Sequence, residues 1–253
     1  MPETFIKEAE KQEIVTVSNG IYASYIKRPM DFLLSFCAVV ILSPILLILT
    51  IIGAIVMKGN PFFVQKRPGR IDPKTGKERI FNLIKFRTMT CERDEKGELL
   101  PDDRRITRYG NWLRKFSLDE LPELINILKG DMSAIGPRPQ LVRDMVFMSP
   151  RDRMRHMVRP GLSGLAQING RNAISWESKF EYDLEYIQNI TFLGDWKIII
   201  LTVFKVLRCE DINAEGKGSA DDYGDYLLHN GFVEKEDYDR KQADALELLK
   251  VLY

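Results

Sequence analysis

The sequence predicts an α+β fold, mainly helical with a small β-sheet, that is attached to a membrane by an N-terminal helix. The first observation is a run without any charged residue over residues 32–57, which exceeds the roughly 20 residues that a helix needs to cross a bilayer. The second is a pair of short β-prone segments, 62–65 and 79–89, separated by turn signals. The third is a series of later segments with apolar residues at helical spacing.

The apolar segment 32–57 has two interpretations. Lys27 and Arg28 precede it and Lys58 begins a basic region after it, so both flanks carry the charge that is typical of cytoplasmic ends. Ser43-Pro44 interrupts its middle. A proline there removes one backbone hydrogen bond and bends the helix, and the serine can bond the freed carbonyl. A kinked helix that crosses once and a re-entrant helix that returns to its side of entry both remain open.

Composition excludes several classes of protein. Among 253 residues, 37 Lys+Arg balance 36 Asp+Glu to a net charge of +1, so no nucleic-acid partner is indicated. Cys37, Cys91 and Cys209 lack the paired spacing of a disulfide framework or a zinc site. His156 and His229 have no other metal ligand nearby in sequence, so we expect both to be solvated surface residues.

The chain divides into four segments. Residues 1–24 are a polar N-terminal segment, 25–58 the membrane helix, 59–207 a domain at the membrane surface and 208–253 an acidic C-terminal extension. The basic residues that follow the membrane helix favour anionic headgroups and phosphorylated ligands.

Local signals predict the elements up to residue 130. Residues 14–17 are β-like, and the strands at 62–65 and 79–89 are joined by a hairpin loop at 71–78. Lys85 and Arg87 share one face of the second strand. Residues 93–105 form a charged loop, 106–116 a short helix and 119–128 a second helix, which Gly130 ends.

The later elements are less regular. Residues 133–139 are rigid and irregular, 143–155 are helical, and 165–168 form a strand before a turn at Asn169-Gly170. Two helices follow at 176–187 and 192–207, and these could pack as a soluble core or lie as amphipathic helices in the membrane interface. Residues 216–224 are a flexible linker, and 233–253 form a last charged helix.

The densest chemical signal is the run RKFSLDELPEL at residues 114–124. Ser117 and Glu120 have capping-box spacing, so helix initiation is the competing interpretation. Because Pro122 would clash inside a helix capped at Ser117, we expect the helix to start nearer Asp119. Asp119 would then lie at the positive end of the helix dipole. A carboxylate there stays ionised and can bind a metal or attack an electrophile.

Two arginines downstream are presented by rigid turns. Arg138 lies between Pro137 and Pro139, and Arg171 follows Asn169-Gly170. Each alone most often forms a surface ion pair. Several guanidinium groups on rigid turns suit bidentate binding of phosphate.

Five motifs in fixed order resemble those of the bacterial sugar transferases. More narrowly, they are similar to those of the monotopic phosphoglycosyl transferases that initiate membrane-linked glycan synthesis. The resemblance covers roughly residues 25–207 and rests on KFRTM (85–89), SLDELPEL (117–124), KGDMS (129–133), GPRP (136–139) and RPGLSGLAQINGR (159–171). Members of that family have a re-entrant membrane helix broken at a Ser-Pro pair, which Ser43-Pro44 matches. The resemblance therefore implies a Ser-Pro-kinked re-entrant helix, with interfacial amphipathic helices beside it.

The resemblance also implies a two-step reaction. Asp119 would attack the sugar-bearing phosphate of a UDP-sugar, release UMP and hold a covalent phosphosugar, which a polyprenyl phosphate, usually undecaprenyl phosphate, then accepts. Glu120 would act as acid/base or metal partner, and Mg²⁺, bound at Asp119, would neutralise the diphosphate. Phosphate-handling residues are expected among the family's cationic positions: Arg114, Arg138, Arg171, Lys85 and Arg87.

The implied location is the cytosolic face of a bacterial inner membrane, with membrane lipid, the UDP-sugar and the polyprenyl phosphate as partners. A homo-oligomer or contacts with downstream glycosyltransferases stay open. Two rival functions are a non-catalytic membrane-anchored scaffold of a polysaccharide assembly complex, suggested by the charged tail, and a hydrolase on a membrane tether. No motif identifies the sugar.

Overall fold

The computed structural model describes residues 15–170, 173–208 and 221–250. One turn of π-helix, Tyr22–Ile26, leads into the first α-helix. The α-helices are α1 Lys27–Val56, α2 Asp102–Arg105, α3 Arg108–Lys115, α4 Glu123–Lys129, α5 Val142–Met145, α6 Pro150–Arg153, α7 Leu165–Ile168, α8 Trp176–Gln188, α9 Phe192–Arg208, α10 Tyr223–His229 and α11 Lys235–Lys250. The strands are β1 Phe62–Ile71, β2 Glu78–Phe86, β3 Ser133–Ile135 and β4 Gly161–Ser163. The predicted fold class, mainly helical α+β with small sheets and a long apolar N-terminal helix, is confirmed.

Helix α1 continues through Pro44 without interruption. Pro44 has no N–H for the carbonyl of Val40, four residues earlier, and the Ser43 hydroxyl donates to that carbonyl at 2.8 Å. The predicted role of the serine is therefore confirmed. The helical stretch Tyr22–Val56 is long and apolar enough to cross a membrane, by length and composition only, and 11% of its most apolar window is buried by the protein.

Both ends of α1 contact the same domain. Near its start, the Asp31 carboxylate accepts a hydrogen bond from the Ser133 hydroxyl at 2.6 Å. Near its end, the carbonyl of Leu49 accepts one from the Tyr109 hydroxyl at 2.7 Å, and a Cβ on Gly53 would lie 3.0 Å from Pro61. Helix α1 therefore lies along the domain rather than leading away from it.

The β1–β2 hairpin forms the first sheet. Its antiparallel register runs from Phe62 opposite Phe86 to Ile71 opposite Glu78, with an irregularity between Pro68 and Ile71. Strand β1 is thus longer than the predicted strand at 62–65, and the turn lies within the predicted loop at 71–78. Phe81 and Leu83 of β2 pack with apolar residues of α4, which fixes that helix against the hairpin.

Strands β3 and β4 form a second, parallel pair that glycines allow to approach closely. Ser133 lies opposite Gly161 and Ile135 opposite Ser163. A Cβ on Gly161 would lie 2.1 Å from the amide nitrogen of Gly136, so only glycine fits there. This pair leads directly into the segment 137–139. Helices α8 and α9 complete the core beside it.

Several predicted elements are wrong in detail. The helix predicted at 143–155 is broken into α5, α6 and a 3₁₀ turn, because Ser149 caps a new start at Pro150. The strand predicted at 165–168 is helix α7, since the strand pairing is made by 161–163 and ends at Gly164. The loop 93–105 contains α2, and residues 15–17 of the predicted patch at 14–17 form no strand.

The two histidines differ. His229 is exposed, as predicted. The prediction for His156 is wrong: it is buried, its Nδ1 lies 3.2 Å from a Glu78 oxygen, and burial lowers its pKa to about 4. One Glu78 oxygen also accepts a hydrogen bond from Arg153 at 2.8 Å, so these residues form a structural network.

The described part of the C-terminal extension packs on the domain. Residues 209–220, which hold Cys209 and most of the predicted linker at 216–224, lie outside the described residues. The last helix, predicted over 233–253, is α11. Residues 1–14 and 251–253 also lie outside the description.

Candidate active site

The acidic run folds as a 3₁₀ turn, Leu118–Glu120, followed by α4. The predicted helix start at Asp119 is too early, because Pro122 occupies the cap position of α4, where its missing N–H breaks no hydrogen bond. Ser117 has φ 52°, a left-handed conformation that costs energy for a residue other than glycine. The strained residue and the proline fix the direction of the carboxylates between them.

Glu120 is the centre of the site. It is buried, and its Oε1 accepts hydrogen bonds from Lys85 Nζ at 2.8 Å and from Arg138 Nη2 at 2.7 Å. These three residues come from β2, the 3₁₀ turn and the segment after β3. Glu120 is the main reason why the pKa of Arg138 is raised above its ordinary value.

Glu123 is a member of the site that the sequence did not single out. It is buried, and its carboxylate lies 3.1 Å from Lys85 Nζ. Burial raises its pKa to about 7, although Lys85 opposes the shift. The sequence signal that could have indicated Glu123 is its position directly after Pro122, at the start of α4.

Asp119 is half-buried, and its carboxylate makes no hydrogen bond within the described residues. Burial and the charge of Glu120 raise its pKa, while Lys85, Arg114 and Arg138 oppose that shift. The charges of three cations therefore act on Asp119, whose oxygens accept no hydrogen bond from the described residues.

Arg114 is held at the edge of the site by a close contact between α3 and the chain after β2. Its Nε donates to the Thr88 hydroxyl at 3.2 Å. A Cβ on Gly110 would lie 2.0 Å from the Thr88 carbonyl oxygen, so α3 can approach only with glycine at that position. Thr107 caps the helix by accepting the N–H of Gly110 at 2.9 Å.

The structure brings five of the seven predicted catalytic and phosphate-binding residues together. The five are Asp119, Glu120, Arg114, Arg138 and Lys85. Arg87 lies just after β2, and its side chain makes no ion pair or hydrogen bond within the described residues. Arg171 lies outside the described residues.

Few side chains of the site could bind a metal ion. Within residues 15–170, 173–208 and 221–250, no group of three or more His, Cys, Asp or Glu side chains could hold a metal ion by itself. Mg²⁺ commonly binds one or two carboxylates together with substrate phosphates. Asp119, whose oxygens accept no hydrogen bond from described residues, suits that arrangement, whereas Glu120 is already occupied by Lys85 and Arg138.

An apolar cavity of about 480 Å³ adjoins these charged groups. Glu120 and Arg138 line it together with Leu34 and Ala38 of α1 and Val203 of α9. Two of its lining side chains hold buried polar atoms: both amide atoms of Gln167 and the indole nitrogen of Trp196 make no hydrogen bond within the part of the chain that the structure describes. A group that filled the cavity could bond both.

The face that α1 and α9 present outside the domain is strongly apolar. Exposed residues of α1 and α9 include Phe32, Leu33, Phe36, Ile41, Leu47, Val203, Phe204 and Leu207. Large apolar residues in such number on one side of a protein mark contact with a membrane or a partner.

Comparisons with known proteins agree with these observations. The family model described as "Bacterial sugar transferase" matches residues 22–209. The chain is 51% identical to the uncharacterized sugar transferase EpsL of Bacillus subtilis, over 72% of this chain and 84% of that protein. It is 40% identical to the UDP-glucose:undecaprenyl-phosphate glucose-1-phosphate transferase of Klebsiella pneumoniae, over 74% of this chain and 41% of that protein.

A third relative acts on a different sugar. The UDP-N-acetylgalactosamine-undecaprenyl-phosphate N-acetylgalactosaminephosphotransferase of Aeromonas hydrophila is 37% identical, over 74% of this chain and 44% of that protein. The chain thus spans less than half of the two relatives whose names state a reaction. Since their donors carry different sugars, similarity at this level does not identify the sugar.

Proposed function

The chain belongs to the bacterial sugar transferase family, and from that premise we propose that it is a phosphoglycosyl transferase that moves a phosphosugar from a UDP-sugar to undecaprenyl phosphate. The observation that carries the proposal is the cluster of Asp119, Glu120, Lys85 and Arg138 beside an apolar cavity. A reaction between a charged nucleotide sugar and a lipid phosphate needs both surroundings in one place.

The first step forms an acyl phosphate on Asp119. A carboxylate oxygen attacks the phosphorus that bears the sugar, the bond from that phosphorus to the oxygen of UMP breaks, and UMP leaves with the electron pair. In the second step an oxygen of the polyprenyl phosphate attacks the same phosphorus and releases the Asp119 carboxylate. The product is a polyprenyl-diphosphate-sugar.

The cations of the site stabilise charge in both steps. Phosphoryl transfer depends mainly on positioning and on neutralising the phosphate oxygens. Arg138 and Lys85 share Glu120, which holds their charges in place, and Arg114 approaches Asp119 from α3. Asp119 would hold Mg²⁺ together with the diphosphate of the donor; when bound, the ion neutralises charge on the leaving UMP.

We assign the apolar cavity to the first isoprene units of the acceptor. Its wall is formed partly by α1, whose exposed side is apolar, so a lipid chain can enter from the membrane. Gln167 and the indole of Trp196 then supply hydrogen-bond donors to the phosphate end.

The proposed topology is re-entrant, with the domain on the cytosolic face of the inner membrane. It is supported by the contacts that Asp31 and Leu49 make with one domain at the two ends of α1. Tags at residues 1 and 253 are expected to report from the same side of the membrane. Opposite sides would favour a single crossing.

Two measurements test the reaction. Intact-mass analysis after incubation with a UDP-sugar, without acceptor, should show a phosphosugar on the protein and one equivalent of UMP in solution. Addition of undecaprenyl phosphate should then discharge the adduct and start turnover.

The rival functions predict other results. Release of free sugar phosphate without a lipid acceptor would indicate the hydrolase. If no member of a UDP-sugar panel released UMP, the result would favour the function as a non-catalytic scaffold. The same panel identifies the preferred sugar.

A further inference from the structure

Residues 221–250 form two helices that pack against the domain, although the family match ends at residue 209. We call residues 221–250, which include α10 and α11, the C-terminal clasp. The Tyr223 ring at the start of the clasp lies 5.2 Å from the ring of Trp176 and 5.0 Å from that of Phe180. Aromatic pairs at these distances attract beyond their simple burial of area.

At Gly224 the clasp approaches Phe147 of the domain closely. A Cβ at this position would lie 2.7 Å from Cε2 of Phe147, a distance that real Cβ atoms do not show. The backbone N–H of Gly224 donates to Asp144 Oδ1 at 3.2 Å, and Tyr238 stacks on Phe147 at 5.5 Å. The seat of the clasp therefore requires glycine.

Ion pairs also join the clasp to α5. Arg143 forms ion pairs with Asp222 and, at 2.9 Å, with Asp225, both from the clasp. Asp144 beside it is buried, and its second oxygen has no hydrogen-bond partner within the described residues. Burial and the charge of Asp222 raise the pKa of Asp144 to about 6, while the Gly224 N–H, Arg143 and Arg67 oppose that rise.

Arg67 of β1 connects this contact to the active site. Helix α5, which carries Asp144, packs against β1. The charges of Asp144 and Asp222 favour the charged form of Arg67, although burial and Arg138 lower its pKa to about 10. Its Nη1 donates to the carbonyl of Pro139 at 3.4 Å, directly after Arg138. A path of neighbouring groups thus runs from the clasp to the segment that carries Arg138.

We propose that the C-terminal clasp positions Arg138 for the donor diphosphate by way of α5 and Arg67. Gly224 and Asp222 of the clasp contact α5, α5 packs against β1, and Arg67 of β1 donates to the carbonyl directly after Arg138. The clasp residues touch neither substrate nor reacting atoms, so they are positioning residues. The inference rests on the proposed function, because it names a regulator of the same site.

The test compares the KM for the UDP-sugar with kcat in the full chain. Gly224→Ala places a methyl group against Phe147, and Arg143→Glu reverses two ion pairs of the clasp. Leu246→Ala, on the exposed side of α11, is the matched control. Trp176 emission reports loss of the Tyr223 contact.

We expect Gly224→Ala and Arg143→Glu each to raise the donor KM about fivefold with kcat within about twofold, the effect of weakening one charge-assisted hydrogen bond. Leu246→Ala should leave both constants unchanged. Combining Gly224→Ala with Arg67→Gln should raise KM no further than Arg67→Gln alone, because both act along one path.

A donor KM within about twofold of the wild type in Arg143→Glu, or effects of Gly224→Ala and Arg67→Gln that multiply, would overturn the proposal. Failure of the proposed function would give a different result, because the wild-type protein itself would then release no UMP.

Discussion

Two clusters of buried carboxylates differ in how completely their oxygens are bonded. Asp195 of α9 accepts hydrogen bonds from Tyr22 at 2.6 Å, Lys27 at 2.5 Å and Tyr186 at 2.9 Å. Both of its oxygens are used, and its charge faces a lysine. This cluster joins the start of α1 to α8 and α9.

The cluster at residues 119–123 holds three carboxylates, and they are bonded unequally. Glu120 and Glu123 share Lys85, and Asp119 has no hydrogen bond within the described residues. The pKa of Glu123 is raised to about 7, mainly by burial. A carboxylate with its oxygens satisfied holds elements together, whereas one such as Asp119, which accepts no hydrogen bond within the described residues, can receive a ligand or react.

The largest effect of a single substitution is expected at Asp119. Asp119→Asn keeps the shape but removes the nucleophile, so turnover should fall by about a thousandfold or more. UMP release and intact mass measure the effect. Asp239→Asn, an exposed acid of α11, is the control.

The thermal midpoint of Asp119→Asn should stay within a few degrees of the wild type. Normal turnover in this variant would remove Asp119 from the mechanism.

Asp195→Asn should show the opposite pattern. Removing its charge leaves Lys27 buried and poorly paired, so the free energy of unfolding should fall by about 4 kcal/mol. Turnover per folded molecule should stay within about threefold of the wild type, because Asp195 is not in the site. Denaturant titration measures the free energy of unfolding, and UMP release measures turnover.

Glu185→Gln, an exposed acid of α8, is the matched control for that change. Loss of turnover in Asp195→Asn with unchanged stability would contradict the division between the two clusters.

A pH titration tests Glu123. In the folded protein the Glu123 carboxyl group keeps its proton up to about pH 7, because its pKa is raised. In the unfolded chain it loses the proton near its ordinary pKa of 4.5. The contribution of Glu123 to the free energy of unfolding is therefore fully present below pH 4.5 and is lost as the pH rises to 7. Relative to Glu123→Gln, the wild type should lose about 3 kcal/mol between pH 5 and 8.

That difference is measured by denaturant titration of both proteins at several pH values. Parallel curves for the two proteins would show that Glu123 titrates normally.

The smallest effect is expected within α1. Ser43→Ala leaves the Val40 carbonyl without its hydroxyl donor and should lower stability in lipid nanodiscs by about 1 kcal/mol. Thr50→Val removes a similar hydroxyl bond, to Leu46 at 2.7 Å, but that carbonyl lies in an ordinary helical turn that supplies an N–H. Thr50→Val should therefore cost less, and an equal loss would argue against a special role of Ser43.

The sequence predicted the parts of the site whose signals are local. The acids at residues 119–120, the arginine between two prolines and the Ser-Pro pair in α1 are all visible as short patterns. The start of α4 was misplaced because Pro122 takes the cap position of the helix and leaves residues 118–120 in a separate 3₁₀ turn. Glu123 was missed because its partner, Lys85, lies on a distant strand.

Other errors have the same origin. His156 has no neighbour in sequence that indicates burial, and its contact with Glu78 bridges the chain from β2 to the 3₁₀ turn after α6. The strand predicted at 165–168 failed because parallel pairing with β3 selected residues 161–163 instead. Contacts between distant segments override local propensity.

By itself, the sequence determined that the protein meets a membrane through one apolar helix, that its fold is mainly helical, and that its motifs are those of a sugar transferase. Those properties follow from hydrophobicity, periodicity and residue order, which are local. Only the tertiary structure decided that α1 lies along the domain, that Glu120 joins Lys85 to Arg138, and that the C-terminal clasp packs against α5. Each of these depends on groups that are far apart in the chain and become neighbours only when burial and hydrogen bonding select one packing.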